Sequence, residues 1–195
     1  MHGRPISSVR SGPSDAALKV LVIGNIHGNE PAGMRIARKL VAAGAPHEVE
    51  LTVIPTINPD GLAAGTRGNG HGVDLNRNFP FAWLPLSGGE YSGPHQLSEP
   101  ESRAAYRFIR RNRPDVTIWF HQPFGLIDRP EGNPFAAHRF SELIGLPLHR
   151  LPGRYPGSAI RWQNHTFPTS TAFVAELPPH VSPHLIKQGQ RRPSL

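Results

Sequence analysis

Ile23-Gly24-Asn25-Ile26-His27-Gly28-Asn29-Glu30-Pro31 is the stretch whose reading decides the fold of this chain. Leading into it, Leu18, Val20, Leu21, Val22, Ile23 and Ile26 are too continuously apolar for a sheet with one wet face, so Lys19 to Ile26 reads as a buried strand. Pro31 suits the first turn of a helix, predicted over Ala32 to Ala43. His27 and Glu30 then lie on a strand-to-helix turn, where open α/β sheets bind their ligands. An imidazole and a carboxylate there can share one metal ion. Catalytic zinc takes three protein ligands and keeps a position for water, so the chain must supply a third ligand, a base and a substrate clamp elsewhere.

Composition narrows the choice. A length of 195 residues suits a single domain, expected to span 1–195 with its own core. The 22 prolines and 20 glycines argue for long, shaped loops around a compact sheet. With no cysteine there is no disulfide framework and no thiolate site, and a metal must be held by histidines and carboxylates. No run approaches the roughly 18 apolar residues of a membrane span, and Met1 to Ile6 lacks the apolar stretch of a secretory signal, which predicts a soluble, cytoplasmic protein. The net charge of +7 fits nucleic acid, an anionic cell-wall fragment or a merely solvated basic surface. Its arginines are scattered, apart from Arg110-Arg111-Arg113 and Arg191-Arg192, and no basic stripe interleaves with aromatics, so nucleic acid is not expected.

Before the first buried strand the pattern gives only an edge strand around Ile6 to Val9. After the first helix, Glu48 to Ile54 reads as a second strand, and Asn58-Pro59-Asp60-Gly61 as a turn. From there to about Leu97 the Gly, Asn and Pro content admits no element longer than a few residues, as expected of a functional loop system. Within it Asn76 and Arg77 place an amide beside a planar fork of donors, suited to capture of a carboxylate, with Arg67 as a second cation. The same pair can also serve simply to tie down a loop.

Ser98-Glu99-Pro100-Glu101 has the spacing of a capping box, with Ser98 as N-cap of a helix through about Arg111 whose core face is Ala105, Phe108 and Ile109. Asp115 to Phe120 is a third buried strand, and it too ends in a histidine, His121. That repeat of the His27 placement makes His121 the leading third ligand. A helix over Pro134 to Ile144 precedes an irregular segment, Leu148 to Trp162, with Tyr155 and Arg161 as its polar landmarks. Thr169 to Leu177 reads as a last strand running into Glu176, whose carboxylate at an apolar strand end needs a metal or an arginine beside it. Glu176 is thus the candidate general base, and His180 to Leu195 is expected to be a frayed tail.

Taken in order, these motifs resemble the zinc carboxypeptidase family, and within it the bacterial murein peptide amidases that cut γ-D-glutamyl-diaminopimelate. The likeness runs from about Val20 to Pro178. It rests on His27 to Glu30, Asn58 to Gly61, Gly72-Val73-Asp74-Leu75-Asn76-Arg77-Asn78-Phe79-Pro80, Ser98 to Glu101, His121 and Glu176. The resemblance implies an α/β fold: a central mixed, mostly parallel sheet flanked by helices on both faces. It implies one Zn2+ held by His27, Glu30 and His121, with Asp74 orienting the His27 ring and Glu176 activating a water. Arg67 would polarise the scissile carbonyl, Asn76 and Arg77 would hold the terminal carboxylate, and Tyr155 would stand for the family's mobile tyrosine. Arg161 would face the side chain of the leaving residue, where a guanidinium suits a distal carboxylate. The expected partner is a small peptide with a free carboxylate, a murein peptide in particular. The competing expectations are an N-acyl amino acid deacylase of the aspartoacylase type and a catalytically inactive peptide-binding module. Asn58 to Gly61 and the Ser98 to Glu101 segment point away from the deacylase.

Overall fold

A computed structural model describes residues 3–153 and 155–180; the expected tail beyond His180 lies outside the described residues. Seven strands form one sheet: β1 (Val9–Ser11), β2 (Leu18–Ile23), β3 (Val49–Ile54), β4 (Val116–His121), β5 (Leu126–Asp128), β6 (Leu148–His149) and β7 (Thr171–Glu176). Their order across the sheet is β1-β3-β2-β4-β7-β5-β6. The central β3, β2, β4 and β7 are mutually parallel, and β1 and β5 run antiparallel to their neighbours β3 and β7. The helices are α1 (Ala32–Ala43), α2 (Pro59–Ala64), α3 (Pro100–Asn112), α4 (Phe135–Ile144) and α5 (Ala159–Thr166). This is the mixed, mostly parallel sheet the sequence predicts. Among the described residues no helix is long and apolar enough to cross a membrane.

Strand alternation divides the core between the two faces of the sheet. Trp119 and Ala172 point to a cluster with Ala105 and Ile109 of α3 and Trp162 of α5. Their chain neighbours Phe120 and Phe173 point to the opposite cluster, with Ala37 of α1 and Ala137 and Ile144 of α4. Both faces of the central strands are therefore dry, which is why those strands read as near-continuous apolar runs. Strand β2 lies between β3 and β4, and its two neighbours are reached by connections on opposite faces, through α1 and α3. That reversal opens a crevice at the carboxyl ends of β2 and β4.

Three local expectations are corrected. Asn58 to Gly61 is not a free-standing turn: Asn58 caps α2, its side-chain oxygen accepting from the Gly61 N–H at 2.9 Å with Pro59 opening the helix. Ser98 is not the N-cap of α3. Glu99 takes that place without a side-chain capping bond, because its carboxylate accepts from the Asn69 amide (2.8 Å) and the Ser98 hydroxyl (2.8 Å). The segment from Leu148 to Trp162 is not wholly irregular, since it holds β6 and the start of α5, which Ser158 caps through the Arg161 N–H.

Candidate active site

The turn after β2 is shaped by residues that never meet the cavity it borders. Asn25, fully buried, donates from its amide to the carbonyls of His27 (2.6 Å) and Glu30 (3.1 Å) and accepts from the Thr56 hydroxyl (2.8 Å). Asn58 donates to the Ile26 carbonyl at 2.9 Å, tying α2 to the same turn. Gly28 lies so close to α2 that a Cβ there would stand 2.0 Å from the Gly61 carbonyl carbon. The backbone of residues 25–30 is thereby set, and the His27 and Glu30 side chains project from it together.

His27 directs Nδ1 to Glu30 Oε1 (2.9 Å) and Nε2 to Asp74 Oδ1 (3.0 Å), while His121, at the end of β4, directs Nδ1 to Glu30 Oε2 (3.0 Å). All three residues are buried, and one ligand atom from each lies within 4.8 Å of the others. Two imidazoles and a carboxylate converging in this way suit a zinc site that keeps a position open. Asp74 accepts from the ring nitrogen of His27 that points away from the cluster, which orients the ring with Nδ1 facing Glu30, the nitrogen that would bind a metal. The electrostatics follow from the same contacts. Burial opposes charge on Glu30, but the hydrogen bonds and charges of His121 and His27 outweigh it and hold its carboxyl well below the usual range. Asp74 is held low against the same penalty by His27, Arg67 and Arg77. Burial likewise disfavours the charged His27, yet Asp74 and Glu30 raise its pKa overall; for His121 burial wins and the pKa falls.

Glu176 ends β7 in register with His121 on β4. Among the described residues its buried Oε2 has no partner, and burial together with the nearby charge of Glu30 pushes its carboxyl up to about 7. A carboxylate poised there at neutral pH has the properties of a general base. Arg67 donates to Asp74 Oδ2 (2.8 Å) and reaches Glu30 Oε1 at 3.4 Å, with a third of its side chain still exposed.

His27, Glu30, Arg67, His121 and Glu176 line a cavity of about 670 Å3, and so do Asn76, Arg77, Tyr155 and Arg161. The Asn76 side-chain oxygen is engaged by the Ala159 N–H at the start of α5 (3.0 Å), so the amide's remaining donor is its NH2. Arg77 is buried; it donates to the Asn76 carbonyl (2.9 Å) and to Glu90 Oε1, its Nε has no partner among the described residues, and its guanidinium lies 5.1 Å from the Tyr155 ring centre. Gly157 makes this packing possible: its φ is +65°, and a Cβ there would stand 2.2 Å from the Arg77 carbonyl oxygen. Tyr155 donates its hydroxyl to the Pro152 carbonyl (3.1 Å), and Arg161 lies over Phe81 with Nε 4.0 Å from Glu131.

Nine of the ten residues singled out from sequence thus line one cavity, and the tenth, Asp74, stands behind His27. Sequence reasoning missed Asn25, Glu90 and Asp128. Only Asn25 carried a signal, a polar residue inside an otherwise apolar strand end.

A central parallel sheet with a His-Glu-His cluster at its carboxyl edge defines a class of protein, and the sequence agrees: residues 1–134 match the zinc carboxypeptidase family. The chain belongs to that family, whose metal is zinc, and His27, Glu30 and His121 are its candidate site for the ion. Within the family it is similar to murein peptide amidase A of Escherichia coli, with 30% identity over 157 residues, 73% of this chain and 64% of that protein. It is also similar to murein peptide amidase A of Vibrio campbellii, 31% identical over 178 residues, 82% of this chain and 69% of that one. The crystal structure of murein-tripeptide amidase from Escherichia coli O157 superposes with a TM-score of 0.72 at 27% identity, over 92% of this chain and 82% of that chain. The chain therefore spans just under two thirds of the length of the Escherichia coli relative, at 64%.

Proposed function

We propose that this chain is a zinc-dependent hydrolase of a peptide or amide bond next to a carboxylate-bearing terminal residue, and that the bond is the γ-D-glutamyl-diaminopimelate link of murein peptides. The observation that carries the reading is the cavity itself, lined by a metal-ligand cluster, a carboxylate of neutral pKa and an amide-guanidinium pair. His27, Glu30 and His121 would hold the zinc. Bound there, the ion would acidify a water and polarise the scissile carbonyl.

The chain's own residues carry the remaining steps. Asn76 and Arg77 bind the terminal carboxylate, the amide NH2 and the guanidinium fork donating to its two oxygens. Tyr155, packed against Arg77, lines the cavity beside that pair. Arg67, held by Asp74 yet partly open to the cavity, donates to the carbonyl oxygen as negative charge develops on it. Glu176 accepts a proton from the attacking water and returns it to the leaving nitrogen, a role suited to a group that titrates near neutrality. Arg161 faces the side chain of the leaving residue. The similarity to murein peptide amidases supports the choice of substrate.

Hydrolysis of L-Ala-γ-D-Glu-meso-diaminopimelate beside an ordinary L-peptide with a free carboxyl terminus tests the reading. Cleavage of the tripeptide alone is expected. Cleavage of the L-peptide instead would keep the hydrolase and overturn the substrate, and turnover of N-acetyl amino acids with neither peptide cut would favour a deacylase. The reading extends to a cytoplasmic enzyme acting on soluble wall peptides, and cell fractionation checks that part.

A further inference from the structure

Two charged residues that line the cavity have no part in the scheme above: Glu90, which is paired with Arg77, and Asp128. Asp128 ends β5, beside Val174 of β7, and borders the same cavity as Arg161. One of its oxygens, Oδ1, accepts from the Leu151 N–H at 2.9 Å. Among the described residues no cation lies within ion-pair distance of it. Burial raises its pKa, helped by the nearby charge of Glu131 and opposed by the Leu151 N–H and Arg150. Arg161 shares the cavity with the opposite sign; its nearest carboxylate, on the half-exposed Glu131, is 4.0 Å away. The same cavity is also lined by the apolar Leu151, Ile160 and Val174.

With the terminal carboxylate held by Asn76 and Arg77, the side chain of the leaving residue enters this part of the cavity. A lysine-like head would bring an ammonium to Arg161. A simple diacid would bring a carboxylate to Asp128. A hydrocarbon would give neither charge a new partner in a partly dry site. Only a head carrying an ammonium and a carboxylate on one carbon gives both charges a partner at once, and the apolar residues of the same cavity accept the methylenes that precede it. We propose that Asp128 is a specificity-determining residue that binds the ammonium of a distal amino acid head, while Arg161 takes that head's carboxylate. The leaving residue is then a 2,6-diamino diacid. The inference rests on the hydrolase reading for where the substrate lies, and it adds a residue and a reason for the second amino group.

The experiment measures equilibrium binding of the released amino acid, without turnover. Calorimetry on zinc-loaded wild-type protein compares meso-diaminopimelate with 2-aminopimelate, which lacks only the distal ammonium. A charge-assisted hydrogen bond predicts a preference of about 10- to 100-fold for meso-diaminopimelate. Asp128→Asn keeps an oxygen for the Leu151 N–H; it should abolish that preference and leave 2-aminopimelate affinity unchanged. Asp128→Glu, which keeps the charge, should recover part of it. The proposal is overturned if the wild type shows no preference, if Asp128→Asn retains it, or if the Glu and Asn variants lose affinity for both ligands alike. Because no bond is cleaved, these results stand apart from the hydrolysis assay. A protein that binds the head as described but leaves γ-D-glutamyl peptides intact would overturn the proposed substrate and keep the role of Asp128.

Discussion

Replacing Glu176 with Gln should make the metal-free protein more stable at neutral and alkaline pH. Glu176 has a folded-state pKa of about 7 against an ordinary 4.5, because burial and the Glu30 charge disfavour its ionised form. A carboxyl raised in this way contributes stability that is fully present below about pH 4.5 and is lost as pH rises through about 7. Over that window the wild type gives up about 3 kcal/mol, from 1.36 kcal/mol per pH unit across the interval between 4.5 and about 7. Water reaching the carboxylate from the cavity lowers the expected figure to about 2 kcal/mol. The Gln variant has no such titration and keeps an oxygen to accept the Phe124 N–H that now meets the carboxylate. Urea unfolding of both proteins in chelator, at pH 4 and pH 8.5, reads the effect. Equal stabilities at pH 4 and a more stable Gln variant at pH 8.5 are expected. A wild type as stable as the variant at pH 8.5 would refute the claim that Glu176 is held ionised at a cost, and with it the argument for a base poised near neutrality. The variant should meanwhile lose hydrolysis almost entirely, the usual opposition between stability and a working site.

Other perturbations separate the parts of the site. Glu90 occupies one donor of Arg77 from an exposed one-turn helix, so it competes with an incoming carboxylate; Glu90→Gln should lower KM several-fold with kcat unchanged, and a raised KM would show instead that Glu90 positions the guanidinium. Arg77→Lys loses the planar fork and should raise KM about tenfold or more in steady-state assays, with little change in melting temperature. Gly28→Ala places a Cβ 2.2 Å from the Gly61 carbonyl oxygen; forcing α2 away from the His27 turn should cost about 1–3 kcal/mol in urea unfolding and weaken zinc retention in dialysis.

Much of the site could be read before any coordinates because its chemistry sits where apolar runs stop. His121 and Glu176 end, and His27 closely follows, strands buried on both faces, and three polar groups at three such ends belong to one crevice of a parallel sheet. Asn76 and Arg77 were legible only as a loop pair with two readings; their orientation depends on Ala159 and Gly157, some eighty residues away, which no local pattern encodes. Helix α5 escaped notice because Pro156 and Gly157 signal a loop and eight residues are too few for clear periodicity; it is held by Trp162, packed between Phe79 and Tyr106. The capping box failed for a related reason: Glu99 is drawn into a long-range contact with Asn69 that outweighs local capping. Asp128 closes a three-residue strand and stands before Arg129-Pro130, so by sequence it looks like an ordinary turn residue.

The most direct test of the account follows zinc and turnover together on the same sample. One zinc per chain by elemental analysis, hydrolysis of L-Ala-γ-D-Glu-meso-diaminopimelate lost on chelation and restored by zinc, and loss of both in His27→Ala and His121→Ala are the predicted results. Hydrolysis that survives complete removal of metal, or zinc retained in full by both histidine variants, would contradict it.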